Sequence, residues 1–209
     1  MKTEDLIAKL AEDARAPRPE THHGAFWQCA GCALLVAGLA VVLGFGVRPD
    51  AAHAGAAIAL KSFFGLGAAL SLLPLVARVL EPTTSVRSLA LPVFVFAAAS
   101  VLVAGTALAT DHSWRGLLLN MGWPECLMRV PLLALPGAAL LFWSARRYAP
   151  TRLALAGAVI GAFSASIAII AYSWFCMADS VAYVGLWYLG AIAICAGIGA
   201  LVGPRVLRW

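Results

Sequence analysis

Charge is what this sequence has least of. Asp, Glu, Lys and Arg make up 12% of its 209 residues, against roughly 25% in a soluble domain. With 62% of the chain hydrophobic, there is too little polar surface to face water, and a membrane is the natural solvent. The first two dozen residues lack the apolar core and the small-residue cleavage site of a secretory signal. No Asp, Glu or His falls in the middle of any long apolar segment, where transporters and proton-driven pumps carry ionisable groups. Paired, glycine-interrupted helices that would frame a substrate site are not evident either. A transporter is therefore disfavoured. The five cysteines are an odd number, which argues against a fully paired disulfide framework.

What is present is a series of apolar runs, each near the roughly 20 residues needed to span a bilayer. They predict an all-α membrane protein, a bundle of six transmembrane helices. The expected spans are Phe26 to Phe45, Gly55 to Val79, Ser88 to Ala109, Cys126 to Ala145, Leu153 to Phe175 and Val181 to Val202. Residues 1–25 form a separate cytoplasmic segment, and residues 26–209 form the membrane domain. With the N-terminus inside, eleven of the fifteen lysines and arginines lie on the inner side, and only Arg48, Lys61, Arg115 and Arg129 lie outside. The positive-inside rule then gives an N-in, C-in topology. Lys61 and Arg129 lie near outer span ends, and Lys61 is expected to snorkel its ammonium to the interface. Gly157 and Gly161, like Gly199 and Gly203, are four apart and predict close helix packing.

The N-terminal segment has its own pattern. Thr3 can cap a short helix, with Glu4 and Asp5 favourably placed against its dipole. Leu6, Ile7 and Leu10 share one face with Ala14, and Pro17 and Pro19 end the run. A helix this short is marginal alone and needs a surface to pack on. Residues 1–20 hold four cations against five acids. This mixed, slightly acidic face suits a groove on a basic protein partner better than anionic lipid. A solvated tail that merely sets topology is the alternative.

Two groups of cysteines remain. Cys29 and Cys32 form a C-x-x-C at the cytoplasmic edge of the first span. That spacing suits redox or metal chemistry, but two small packing residues at a lipid-embedded position explain it as well. Cys195, in mid-span, reads as packing. Cys126 and Cys176 flank the turn around Thr151, each about 24 residues away, or roughly 36 Å along a helix. Both thiols thus reach the outer surface at similar height on adjacent antiparallel helices. In a bacterium that surface is oxidising, and Glu125, Asp179, Asp111 and His112 share the layer. A redox- or metal-responsive pair, a static disulfide and two unrelated thiols all fit this spacing.

The opening Lys2-Thr3-Glu4-Asp5-Leu6-Ile7-Ala8-Lys9-Leu10-Ala11, Asn120 with Cys126-Leu127, the turn Ser144-Ala145-Arg146-Arg147-Tyr148-Ala149-Pro150, and Cys176 with Asp179-Ser180 and Trp187-Tyr188 together resemble the NrsF family. The resemblance covers essentially the whole chain. It implies a six-span inner-membrane anti-sigma factor, not an enzyme, needing no cofactor and contacting no nucleic acid directly. Its partners would be membrane lipid and an extracytoplasmic-function (ECF) sigma factor held through the N-terminal segment. Residues carried over by position are Cys126 and Cys176, as cysteines responding to heavy metals or oxidants. Met177-Ala178 stands where the family often has Pro-Glu, which weakens metal chelation relative to thiol oxidation. The rival reading is a membrane thiol-disulfide oxidoreductase, disfavoured because the C-x-x-C falls on the cytoplasmic side.

Overall fold

The computed structural model describes residues 3–5, 7, 21–79, 88–110, 123–148 and 150–208. Among these there is no β-strand. Helix α1 is Thr21–Ala40 and continues through a π turn, Val41–Phe45; α2 is Gly55–Val79; α3 is Leu91–Thr110, entered through a 3₁₀ turn at Ser88–Ala90. Helix α4 is Trp123–Ala145, followed by a 3₁₀ turn at Arg146–Tyr148, and α5 is Leu153–Tyr172. Helix α6, Val181–Val206, contains a π segment at Val184–Tyr188. All six are long and apolar enough to cross a membrane.

The helices alternate in direction. We call the end where α1 begins the near end, and the end where α1 leads into α2 the far end. Helix α5 is the centre of the bundle, with fifteen of its twenty residues buried. Helix α3 is peripheral and buries only Ala104. The reason for α5's position is its small side chains. A Cβ on Gly157 would land on the carbonyl oxygen of Gly199 and lie 2.8 Å from Cα of Gly203; one on Gly161 would strike the carbonyl of Cys195. Backbones of α5 and α6 therefore meet directly, as the glycine spacing predicts, and both glycine pairs are used within one chain.

Several span limits differ from those expected. Helix α4 starts at Trp123, not Cys126. Helix α5 stops at Tyr172, not Phe175: Ser173 Oγ donates to Ile170 O, and the amides of Phe175 and Cys176 both donate to Tyr172 O, so the chain winds out of the helix. Helix α6 runs past Val202 to Val206 with Pro204 inside its last turn.

The π segment of α6 shapes the far half of the core. In an α-helix two residues five apart point about 140° away from each other, because each residue turns about 100°. A π turn, bonded i to i+5, brings them to the same side. Tyr183 and Tyr188 are thus both buried against α4 and α5, while Gly185 meets the Ala104 methyl and Ser100 carbonyl of α3.

Candidate functional site

At the far end, residues 173–180 cross from α5 to α6 and carry Cys176 and Asp179. Two cations close over this crossing. Arg48, just beyond α1, binds Asp179 through both Nη atoms at 2.8 and 3.0 Å and Asp50 through Nε at 2.7 Å. It also donates from Nη1 to Cys176 O at 3.2 Å, and its backbone amide donates to Trp174 O. Lys61, one and a half turns into α2, donates to Cys176 O and Asp179 Oδ1, both at 2.6 Å. Next to it the Ser62 and Ser173 hydroxyls pair at 2.8 Å. Lys61 is fully buried and Arg48 nearly so. Lys61 therefore does not snorkel: a carboxylate and a carbonyl within 2.6 Å outcompete a path along the helix to water.

The cations hold the Asp179 carboxyl at about 2, chiefly through the Arg48 hydrogen bonds, and Arg48 likewise lowers Asp50. Arg48 itself is raised by hydrogen bonds to Asp179 and Asp50. A carboxyl depressed from about 3.9 in the unfolded chain stabilises the fold fully above about pH 4. That stability is lost as pH falls through about 2. Thermal unfolding in detergent should show this loss between pH 4 and 2, and Asp179→Asn should flatten it. An unchanged pH profile in the variant would contradict the clamp.

Beneath the clamp lies a thiol–phenol cluster. Cys126 on α4 and Cys176 are both buried, together with Tyr172, Tyr183 and Tyr188, and against Ala37 and Val41 of α1. Both cysteines are free thiols and belong to one core cluster. Tyr188 presents a buried hydroxyl that lacks a partner in hydrogen-bond geometry among the described residues. A cavity of about 220 Å³ lined by Glu125, Arg129, Tyr172, Cys176, Met177 and Tyr183 reaches the cluster. It has room for several waters, each taking about 30 Å³. Arg129 is paired with Glu125 at 2.8 Å and lies over the rings of Phe45 and Phe175.

The candidate metal ligands are thus differently employed than their shared layer suggests. Asp179 is occupied by two cations and Glu125 by Arg129, leaving the two thiols as soft donors. Asp111 and His112 lie outside the described residues, as do Leu6 and Leu10. Among the described residues no group of three His, Cys, Asp or Glu side chains is spaced to hold a metal. Ile7 is helical and 61% exposed. Cys29 is half-buried on α1 and packs in the near-end core, whereas Cys32 faces outward. Cys195 is buried between α5 and α6. Sequence reasoning missed Arg48 and Lys61 as parts of the site. The available signal was two cations at apolar ends opposite a single Asp179-Ser180 turn.

Over residues 10–209 the chain matches the family described as negative regulator of sigma F. The chain belongs to the NrsF family. It is 33% identical to the anti-sigma-F factor NrsF of Caulobacter vibrioides, and 30% identical to the probable anti-sigma-F factor NrsF of Azospira oryzae, across the full length of each pair. No solved structure matches it. The family is regulatory, and an anti-sigma factor implies a sigma factor as partner.

Proposed function

We propose that this chain is a bacterial inner-membrane protein that holds an ECF sigma factor inactive through residues 1–25. It releases the factor when Cys126 and Cys176 meet metal or oxidant on the periplasmic side. Large exposed apolar side chains on every flank, among them Leu35, Leu43, Phe63, Phe94 and Leu201, support the membrane as solvent. The lysine and arginine count supports placing the near end inside. Alkaline phosphatase fused at residues 50 and 115 should be active at both. Low activity at both would invert this topology.

The observation that carries the mechanism is the bonding of Cys176 to α1. Its carbonyl is held by Arg48, three residues beyond the π turn that ends α1, and the thiol cluster packs on Ala37 and Val41 of the same helix. The other end of α1 follows residues 1–20, with Leu6, Ile7 and Leu10 as the sigma-docking face. An oxidant takes two electrons and two protons from the thiol pair and leaves an S–S bond; a soft metal ion displaces the thiol protons and binds the thiolates. Either event repacks the cluster against α1, and release follows if the two thiol states favour different helix arrangements.

Deleting residues 2–15 should raise sigma-dependent transcription several-fold while the protein stays in the membrane fraction. Unchanged transcription with the protein still in the membrane would remove the docking segment from the account.

A further inference from the structure

A groove that sigma binding and thiol chemistry do not use runs along α4 to the near end of the bundle. Helices α4, α5 and α6 enclose a groove of about 620 Å³, inside the roughly 300–1,000 Å³ range of ligand pockets. Gly161 and Gly199 line its floor, where the backbones of α5 and α6 meet. Its one hydroxyl, Ser164 Oγ, already donates to Gly161 O at 2.9 Å. An occupant of this groove must therefore have an apolar body.

Polarity changes abruptly at the groove's near end. Arg146 lines the groove and also borders a second cavity, of about 300 Å³, shared with Arg205 and Arg208. Arg146 Nε donates to Val206 O at 2.9 Å, and Arg205 Nη1 donates to Leu201 O at 3.0 Å. Among the described residues these bonds orient the guanidinium groups while engaging one of the five N–H donors each carries. Arg147 stacks on Trp143, another groove residue, with Cζ 4.9 Å from the ring centroid. Among the described residues no carboxylate pairs with Arg146, Arg147, Arg205 or Arg208. At the far end, by contrast, Arg48, Lys61 and Arg129 all have carboxylate partners.

We propose that this groove is a binding site for an anionic phospholipid, with an acyl chain along α4 and α6 and its phosphate on Arg146, Arg205 and Arg208. An apolar body continuous with an anionic head is the chemistry that the groove and its arginines jointly select. Basic pockets between membrane helices on the cytoplasmic side bind such headgroups. A zwitterionic lipid brings its own cation to the same arginines and is selected against. The inference rests on the membrane reading given above.

The test uses the full-length protein. Membrane fractionation comes first: a chain absent from the membrane fraction would overturn both the membrane reading and the lipid site. A chain found there is reconstituted with equal amounts of phosphatidylglycerol and phosphatidylcholine, extracted in mild detergent and weighed intact by native mass spectrometry. Wild type should retain phosphatidylglycerol over phosphatidylcholine by roughly tenfold. Arg205→Gln/Arg208→Gln should lose that preference, and Arg205→Lys/Arg208→Lys should keep it, which separates charge from folding. Ala139→Trp, which fills the groove beneath unchanged arginines, should expel the lipid. Equal retention of both lipids by wild type, a preference that survives in the Gln variant, or a bound polypeptide in place of lipid would each overturn the site alone.

Discussion

Asp179→Asn should be among the most destabilising single substitutions in the chain, at about 3 kcal/mol, the lower end of the cost of breaking a buried ion pair. The reason lies in the unequal burial of the partners. Asp179 keeps 41% of its side chain exposed, whereas Lys61 is fully buried and Arg48 is 2% exposed. Removing the carboxylate leaves two buried cations facing each other, with Asp50 as the remaining acid beside Arg48. Removing Lys61 leaves Asp179 with Arg48 and with water, so Lys61→Met should cost clearly less. The double variant Lys61→Met/Asp179→Asn should recover part of the loss in Asp179→Asn, since it deletes one uncompensated cation. Unfolding of the four proteins in detergent gives the coupling directly. Additive losses would mean that the two side chains do not form one clamp.

Much of the fold was legible because the length of each apolar run is a direct reading of the length of its helix. Gly55–Val79 coincides with its expected limits, and all six helices occur where apolar runs predict them. Polar contacts account for one of the limits that moved. Helix α5 ends at Tyr172 because Ser173 and the Tyr172 carbonyl wind the next residues outward. Helix α6 continues to Val206 through Pro204, which falls in its last turn.

The site was legible by a different route and less completely. Counting residues outward from Thr151 placed Cys126 and Cys176 in one layer, and both occupy the far-end cluster. Counting along two helices says nothing of a third, so the packing of both thiols against α1 was hidden. The π segment that turns Tyr183 and Tyr188 to the same side leaves no periodic trace in five residues. In the sequence Arg48 and Lys61 look like topology charges, since a lone cation near a span end usually reaches water. Their sharing of Asp179 is a tertiary fact, set by residues more than a hundred positions apart.

The second large effect is expected at the thiols. If signal enters at Cys126 and Cys176 and leaves through α1, a side chain that neither oxidises to a disulfide nor binds soft metal must cut the route at its start. Serine changes one atom in each buried position, so Cys126→Ser and Cys176→Ser should still fold and reach the membrane. Of the other cysteines, Cys195 shares the core cluster but sits seven residues beyond Tyr188 on α6, and Cys29 packs in the near-end cluster. The most direct measurement is therefore a sigma-dependent reporter in cells carrying wild type, each serine variant or both, with and without oxidant and heavy metal. The account predicts many-fold induction with wild type and the same transcription with and without stress in every serine variant. Induction of both single variants to the wild-type level would contradict it.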